Sequence, residues 1–506
     1  MKTRHFLWSL FPGWRRLALV FAVLIEFGGL RPGQARADGP FTVNSSVDAI
    51  DVTPGNGVCE VSTGSGVCTL RAAVMEANFN ADADTIILPS GTYTLDRIGL
   101  DSTAVLGDLD VLGSLILQGA GQTTTIVDGS LIHDRVFTVG DGNGQFNAVF
   151  SGLTIQGGHA GNEGYDQGGG GILLRGANLT VTASTLRNNV SDTIGGAIES
   201  VGQFSFARLV LVDTRLLQNR AYTDGGGLYI YGGEAWLTRT LVYGNLTNLA
   251  GGGIFVQGKG YLFASRVESN SAAAGGGLDI PAGGNAQLRD STVRDNFAYN
   301  GGGIYNSDEL ALVNTTLSGN RALQSGGGLY SFTASVAHLY NATVAHNVAD
   351  YDGDDVGLGG GVARVGGSLI IRNTLIGNNV HNNGIVSPSA DDCWGTVTSL
   401  GYNLVETTTN CTITSNQSGN ITGQDPKLGP LLPHNGAPAT HALLPGSPAI
   451  DAGNNIIGCR EADNVLLVTD QRGLPRHADA NQDGSATCDI GAFEVMLQLF
   501  LPLLWR

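Results

Sequence analysis

The chain has 506 residues, is rich in glycine and carries a formal net charge of −17 at pH 7. An acidic surface of this kind repels nucleic acid and anionic lipid, which excludes both as expected partners. The 76 glycines follow no collagen-like triplet, and the cysteines and histidines show no zinc-binding spacing.

The first 37 residues have the pattern of a signal peptide. Basic residues up to Arg16 precede the apolar run Leu17–Ile25, and the small-residue cleavage pattern Ala35-Arg36-Ala37 comes before Asp38. We therefore expect a secreted or cell-surface protein. A retained signal anchor is the alternative interpretation.

Residues 38–83 precede the repeats and contain one segment with helical periodicity. Four apolar residues of the segment 68–78 share one face at helical spacing, namely Leu70, Ala73, Val74 and Ala77. We expect a short amphipathic helix here that covers one open end of the core.

The same segment resembles a known domain. Cys68, Leu70, Arg71 and Ala73 match the motif of the CSLREA domain, which occurs at the N-terminus of many secreted bacterial β-helix proteins, while Ala72 replaces its glutamate. The resemblance implies a cap at the start of a β-helix.

Alternating strand patterns begin at residue 84. Thr85–Leu95, Leu115–Gly119 and Leu153–Gly157 combine aliphatic or β-branched residues with turn residues. They resemble the first coils of the pectate-lyase-like β-helix class. We assign residues 84–424 to the β-helix, with regular coils up to about residue 380.

Between residues 168 and 362 the chain repeats one pattern eight times, with spacings of 24 to 33 residues. Each repeat has a glycine cluster closed by an aliphatic residue, then a short β-branched run that leads to an asparagine. The aliphatic residues are Ile172, Ile198, Leu228, Ile254, Leu278, Ile304, Leu329 and Val362. The asparagines are Asn189, Asn219, Asn245, Asn270, Asn296, Asn320, Asn347 and Asn378.

This period predicts the fold. A unit of this size cannot bury its own apolar face and must stack on its neighbours. Apolar residues alternate after each glycine cluster, which indicates strands. We predict an all-β fold, a right-handed single-stranded parallel β-helix with a capping helix and a small C-terminal module. We expect the asparagines to form a structural ladder between coils, because such a ladder uses the donors and acceptors that a ligand would need.

The longest spacing contains an acidic stretch that we expect to protrude as a loop. Paired carboxylates serve glycoside hydrolysis, so Asp352, Asp354 and Asp355 are the catalytic candidates if the protein is an enzyme. The alternative is a solvated loop or an adventitious cation site.

Six cysteines form three couples that are close in sequence, namely Cys59 and Cys68, Cys393 and Cys411, and Cys459 and Cys488. In an exported chain we expect disulfides, although the spacing leaves their connectivity open. Local pairing would place the bridges outside the stacked coils.

The segment 425–495 contains, in order, Gly446-Ser-Pro-Ala-Ile-Asp451, Asp470-Gln-Arg-Gly473 and Cys488-Asp-Ile-Gly-Ala-Phe-Glu494. This series resembles the choice-of-anchor Q domain, a C-terminal module that follows β-helices, and it implies secretion or surface display. The apolar tail 496–506 is too short to span a bilayer as a helix. A sorting tail and a closing strand both remain open.

Part of this module has the pattern of a calcium loop. Asp479, Asn481 and Asp483 supply oxygen ligands at positions one, three and five, and Gly484 follows at position six. Ile490 stands where a glutamate is expected at position twelve, and Asp489 or Glu494 could substitute for it. We predict a structural Ca²⁺ site here, with a plain acidic turn as the alternative.

Fold class and charge, rather than a catalytic motif, lead to the functional expectation. Enzymes of the pectate-lyase-like class are mainly polysaccharide lyases and hydrolases, but the acidic surface suits a polyuronate poorly and the polygalacturonase motifs do not occur. We expect a monomeric, non-enzymatic protein that binds an extracellular polysaccharide or a cell surface. The alternative is a polysaccharide lyase or glycoside hydrolase that acts in a groove along the helix.

Overall fold

A computed structural model describes residues 40–496, except 80–82, 143–144, 162–167, 203–206, 383–387, 434–437, 457–458, 462–463 and 482–483. The expected signal peptide 1–37 and Asp483 of the calcium prediction lie outside the described residues. So does the tail 496–506 beyond its first residue.

Parallel strands stack coil upon coil into a β-solenoid of about eleven turns. Each coil returns the chain one strand spacing further on, roughly 4.8 Å along the axis. The predicted all-β parallel fold is thus confirmed. In a complete coil, three strand segments enclose the core, and equivalent segments of successive coils form three stacks.

The first and second stacks are parts of one 22-stranded sheet. Strands of the first stack are Leu109–Val111, Phe137–Val139, Ile172–Arg175, Ile198–Gly202, Leu278–Ile280, Ile304–Asn306, Leu329–Ser331 and Val362–Arg364. Strands of the second stack are Pro40–Thr42, Asp84–Leu88, Leu115–Gly119, Asn147–Ser151, Asn178–Thr182, Arg208–Val212, Asn285–Arg289, Glu309–Val313, Val336–Tyr340, Ser368–Arg372 and Cys411–Asn416. Three longer strands run through both stacks, namely Leu228–Thr238, Ile254–Phe263 and Cys393–Leu400.

The third stack is a separate sheet of 13 strands. They are Gly91–Thr94, Thr125–Asp128, Thr154–Gln156, Thr185–Arg187, Arg215–Leu217, Leu241–Tyr243, Arg266–Glu268, Thr292–Arg294, Thr316–Ser318, Thr343–Ala345, Leu375–Gly377, Leu404–Val405 and Ile421–Thr422. Two-residue strands lie in the segment that follows this stack. They are His159–Ala160, Val190–Ser191, Arg220–Ala221, Phe297–Ala298, Arg321–Ala322, Val348–Ala349, Val380–His381 and Ser389–Ala390. An antiparallel pair, Leu428–Leu432 and Thr440–Leu443, lies outside the coils.

The aliphatic residues that close the glycine clusters point into the core. Ile172 pairs with Ile198, Ile198 with Leu228 and Leu228 with Ile254, and the register continues in the same way to Val362. All eight of these side chains are fully buried. The residues on either side of each one therefore point outward, because side chains alternate along a strand.

The asparagines form a continuous ladder of hydrogen bonds inside the coils. In each step the Nδ2 of one asparagine donates to the Oδ1 of the next, at 2.9 to 3.0 Å, from Asn189 to Asn347. The next member is Asn379, which bonds Asn347 at 2.9 Å and then donates to Asp392.

Asn378 was therefore the wrong choice for this coil. In every coil of the ladder, the residue before the ladder asparagine has a positive φ, and in this coil that residue is Asn378, with a φ of 58°. Its side chain bonds Glu406 instead. Two adjacent asparagines made the register ambiguous in the sequence, and the turn geometry resolves it.

A single helix, Leu70–Ala77, is present in the described residues and lies at the start of the solenoid. The side chain of Thr69 caps it by accepting a hydrogen bond from the Ala72 N–H. All eight helical residues are buried, as expected for a cap over the open end of the core. No helix among the described residues is both long and apolar enough to cross a bilayer.

Arg71 of this helix is completely buried and every one of its N–H groups is used. It forms a two-point ion pair with Asp48, at 2.6 and 3.0 Å. Its remaining donors bond the carbonyls of Ala104, Gly107 and Asp108 at 2.8 to 3.1 Å. The cap is thereby joined to the loop that leads into the first strand of the first stack.

Three disulfides join the couples that are close in sequence, namely Cys59–Cys68, Cys393–Cys411 and Cys459–Cys488. The expectation that all three lie outside the coils is wrong for Cys393–Cys411. Beyond residue 380 the chain continues the stacks, because Cys393 pairs with Val362 and Cys411 pairs with Gly395. This bridge links the last two coils.

The described residues of the segment 425–496 lie along the flank of the solenoid and not beyond its end. Thr316 in the third stack donates to Gln471 at 2.6 Å, and Asn373 donates to the carbonyl of Asp489 at 2.7 Å. The described residues from Pro40 onward belong to one compact unit. The C-terminal segment thus covers part of the third stack.

Candidate functional site

A row of outward-facing residues runs along the first stack. It starts in a cleft near the capping helix. The row begins with Asp110, which pairs with Thr138, and Thr138 pairs with Leu173. The cleft beside these residues has a volume of about 920 Å³.

Ionisable side chains dominate the lining of the cleft. The acidic ones are Asp101, Asp108, Asp110, Asp134, Asp141 and Asp192, and the basic ones are His133, Arg135, His159 and Arg175. Carboxyl groups therefore outnumber the permanently charged cations by six to two.

Local sequence places two of the carboxyl groups on the same face. In the run Asp108-Leu109-Asp110-Val111, Leu109 and Val111 point into the core and are fully buried, so both aspartates point outward. Asp110 accepts a hydrogen bond of 2.8 Å from the Ala104 N–H. Because Arg71 holds the carbonyls of this same loop, the capping helix helps to position both aspartates.

Asp134 approaches these two from the next coil. Its carboxylate accepts a hydrogen bond of 2.8 Å from the Arg135 N–H and another from the Asp108 N–H. Gly107 allows this approach, since a Cβ there would lie 2.6 Å from Oδ2 of Asp134, and its φ of 62° also favours glycine.

All three carboxyl groups have raised pKa values, and burial is the main cause. Burial raises the pKa of Asp108 well above 3.8 and that of Asp110 to about 7. The pKa of Asp134 is also raised, although the positive charge of Arg135 and two backbone N–H groups lower it. With a pKa of about 7, Asp110 keeps its proton in about half of the molecules at neutral pH.

Two basic residues of the cleft, Arg135 and His159, contact polar neighbours. Arg135 donates to Thr138 Oγ1 at 3.2 Å, and Thr138 donates to Asp108 at 2.5 Å. At the rim, His159 Nε2 lies 2.9 Å from Oδ1 of Asp192. The arrangement can supply a proton from one carboxyl group and accept one at another, as acid–base catalysis requires.

The acidic loop that the sequence suggested lies several coils away from this cleft. Asp352, Asp354 and Asp355 belong to the loop after Val348–Ala349. All three are exposed. Asp350, which is completely buried, accepts the N–H groups of Asp354 and Asp355. The carboxyl groups here shape a turn.

Side chains in and beside this loop form two groups whose ligand atoms lie within 4.8 Å of one another. One is Asp350, Asp355 and His381, and the other is Asp350, Asp352 and Asp354. His381 Nε2 lies 3.3 Å from Asp350 and 3.2 Å from Asp355, so an internal ion pair can account for the first group.

Three residues of the calcium prediction are described, and each takes part in a hydrogen bond. Asp479 accepts the Gly484 N–H at 3.1 Å. Asp489 is buried and accepts the N–H groups of Asp451 and Val495. The backbone N–H of Asn481 donates to Asp451. With Asp483 outside the described residues, the site stays a prediction.

Sequence reasoning missed Asp108, Asp110 and Asp134. The glycine and asparagine signatures start only at residue 168, so no repeat aligns these aspartates with the later coils. The available signal is the alternation Asp108-Leu109-Asp110-Val111, which places two carboxyl groups on the outer face of one short strand.

No protein-family model matches this chain, and no curated protein matches it. Similar solved structures include the A-module of a mannuronan C-5 epimerase from Azotobacter vinelandii, with 15% identity and a TM-score of 0.40 over 70% of this chain and 94% of that one. Another is the catalytic domain of a GH87 α-1,3-glucanase in complex with tetrasaccharides, with 13% identity and a TM-score of 0.35 over 77% and 70% of the chains. The catalytic unit of a GH87 α-1,3-glucanase from Streptomyces thermodiastaticus shows 14% identity and a TM-score of 0.30, with 72% of each chain covered. At such identities the similarity is one of fold.

Proposed function

We propose that this protein is a glycoside hydrolase that acts on a neutral polysaccharide outside the cytoplasm. The observation that carries the proposal is the cleft in which Asp108, Asp110 and Asp134 meet, with the pKa of Asp110 raised to about 7. Glycoside hydrolysis requires one carboxyl group that is protonated and one that is ionised.

The surroundings of each carboxyl group suggest its role. Asp110 donates its proton to the glycosidic oxygen while the bond between that oxygen and the anomeric carbon breaks. Asp134, which two N–H groups and Arg135 favour in the ionised form, either accepts a proton from the attacking water or attacks the anomeric carbon itself. Asp108, bonded to Thr138, is a positioning residue.

The charge of the cleft favours a neutral polymer. Six carboxyl groups face two arginines, and one of these, Arg135, already bonds Thr138. A polyuronate brings one negative charge per sugar, and the lining of this cleft offers it only two arginines. Polysaccharide lyases need cationic groups that hold the uronate, so lyase chemistry fits less well.

Carbohydrate remains the partner, as expected from the sequence. The proposed role is catalytic, whereas the sequence led us to expect binding alone. A surface that only binds has no need for three buried carboxyl groups, since burying ionisable groups costs free energy. Binding without turnover is the second candidate, and the same experiment separates the two.

The test incubates the purified chain with soluble α-glucan, β-glucan, xylan and galactomannan, and measures the release of reducing ends. We expect turnover of at least one polymer, and a loss of about 10²- to 10⁴-fold in kcat for Asp110→Asn, because general acid catalysis contributes that much. Asp290→Asn is the matched control, since Asp290 also has a pKa of about 7 but is half-buried and contacts Asn314, remote from the cleft. Equal loss in both variants, or no turnover by wild type, would contradict the proposal.

Export of the protein is part of the proposal. Three disulfides are typical of proteins that fold in an oxidising compartment. We propose that residues 1–37 are removed as a signal peptide and that the choice-of-anchor Q-like segment serves display or secretion. N-terminal sequencing of the exported chain tests the cleavage. A mature protein that begins at Met1 would count against it.

We also retain a structural Ca²⁺ at Asp479, Asn481, Asp483 and Asp489, and a monomeric state, as proposals. Calcium is expected to raise the melting temperature and a chelator to lower it, with both effects lost in Asp479→Ala. Unchanged melting in wild type would exclude a stabilising ion. Light scattering on the purified chain measures the oligomeric state, and a dimer mass would exclude the monomer.

A further inference from the structure

Beyond the cleft, the outward row of the first stack becomes aromatic. Leu173 pairs with Glu199, and the next members of the row are Tyr229, Phe255, Asp279, Tyr305 and Tyr330, each paired with the one before it. Tyr229 and Phe255 stack with their ring centroids 4.9 Å apart, and Tyr305 and Tyr330 stack at 5.0 Å. Two aromatic pairs therefore flank one aspartate.

In the part of the chain that the structure describes, no hydrogen bond or ion pair accounts for the presence of Asp279 in the fold. It is only 4% exposed, and among the described residues its carboxyl group has no hydrogen-bond partner. The nearby charge of Asp224 is a further disadvantage, and together with burial it raises the pKa of Asp279 to about 8. A buried polar group without a partner costs free energy, so an apolar residue would serve the fold better here.

The position of Asp279 indicates what it can contact. It points outward between Phe255 and Tyr305, on the same face as the cleft. At neutral pH its protonated carboxyl group has both a donor and an acceptor to offer. Sugar hydroxyl groups match this capacity, and the apolar faces of sugar rings match the faces of aromatic side chains.

We propose that Tyr229, Phe255, Asp279, Tyr305 and Tyr330 form a binding site for a neutral polysaccharide chain that leaves the cleft and runs along the first stack. This inference rests on the proposed function, because it names the part of the molecule that holds the same polymer away from the reacting bond. The spacing supports it. Tyr229 lies four coils beyond Asp110 and Tyr330 four coils beyond Tyr229, so each segment is about 19 Å long at 4.8 Å per coil.

The aromatic pairs alone could be cross-strand contacts that stabilise the sheet. Asp279 distinguishes the two roles, because it interrupts the aromatic series and its burial opposes folding. Its replacement by leucine should therefore affect stability and binding in opposite directions.

The test uses the full chain with Asp110→Asn, so that binding is measured without turnover. Affinity electrophoresis in gels that contain α-glucan, β-glucan, xylan or galactomannan gives a Kd for each polymer. Tyr305→Ala and Asp279→Leu, each added to Asp110→Asn, are expected to weaken the tightest of these interactions about tenfold. Asp279→Leu is also expected to keep or raise the melting temperature.

Tyr261→Ala is the matched control. Tyr261 stacks on Trp236 at 4.1 Å in the second stack, on a different face of the solenoid, and its loss should leave the Kd unchanged. The inference would be overturned if Tyr305→Ala and Asp279→Leu both left the Kd unchanged, or if Tyr261→Ala weakened binding as much as they do. If Asp110→Asn still abolishes turnover in that case, the hydrolase proposal survives. If the wild type shows no turnover but Tyr305→Ala and Asp279→Leu still weaken binding, the binding site is supported and the hydrolase proposal is rejected.

Discussion

Asp110 shows how a single residue acquires its properties from its surroundings. It is a common surface residue type, yet only 3% of it is exposed, and one backbone N–H stabilises its charged form. Its pKa therefore rises from 3.8 to about 7, mainly through burial. In the proposed mechanism the proton that this shift retains is the one transferred to the leaving group.

The pH dependence of hydrolysis should report this proton. Activity is expected to fall as the pH rises through about 7, because Asp110 loses the proton it must donate. The charge of Arg135 lowers the pKa of Asp110, so Arg135→Gln should move the alkaline limb of kcat/KM to higher pH. A limb that stays in place, or moves to lower pH, in a variant with wild-type melting would contradict the assignment.

Residue type and sequence neighbours do not distinguish the proposed functional aspartates from the other aspartates. Asp354 and Asp110 both sit in acidic surroundings in the sequence. Asp354 is exposed and shapes a turn, whereas Asp110 is buried beside Asp134 from another coil. The difference is one of burial, and burial depends on which coils become neighbours.

At the scale of elements, the coil is the unit that the repeat describes and the asparagine ladder is the contact that joins coils. In the middle of the ladder, Asn296 accepts from the backbone N–H and Nδ2 of Asn270, and it donates to Asn320 and to the Val267 carbonyl. All of these groups are buried, so none can turn to water.

Removal of one ladder side chain should therefore be costly. Asn296→Ala leaves four buried polar groups without this partner, and we expect a loss of about 2 to 4 kcal/mol in the free energy of unfolding. The measurement is chemical denaturation. Asn378→Gly is the control, because Asn378 precedes the ladder residue Asn379 but lies outside the ladder, and its positive φ suits glycine. This variant loses only the side-chain hydrogen bond to Glu406, so a small change is expected. Similar losses in both variants would argue against the ladder as the main contact.

Strands and turns could be predicted from the sequence where the chain repeats one pattern. The glycine clusters, the aliphatic rows and seven of the eight ladder positions follow from periodicity, because every coil must solve the same packing problem. The segment 425–495 has no repeat, and its position against Thr316 and Asn373 depends on side chains more than a hundred residues away.

On the scale of the whole molecule, buried carboxyl groups recur along the solenoid. Burial raises the pKa of Asp279 and Asp489 to about 8, and that of Asp290 and Asp392 to about 7. Such a group keeps its proton in the native state after the unfolded chain has lost it. The native state therefore binds more protons between pH 3.8 and about 8, and the free energy of unfolding falls as the pH rises through this window.

The melting temperature should accordingly be lower at pH 8.5 than at pH 5.5, since these values bracket the raised pKa values of about 7 to 8. Calorimetry in buffers of equal ionic strength measures the difference. Asp279→Asn should reduce it, because the amide cannot ionise. A melting temperature that increases with pH would show that these carboxyl groups are ionised in the native state.

The sequence by itself determined the solenoid, its capping helix and the acidic character of its surface, because periodicity, helical spacing and net charge are local or additive properties. Only the tertiary structure decided that Asp108, Asp110 and Asp134 meet in one cleft, that Asp279 is buried without a partner between aromatic pairs, and that Asn379 continues the ladder. These facts depend on which residues of different coils become neighbours. Stacking sets that register for the whole chain at once, and no single segment contains it.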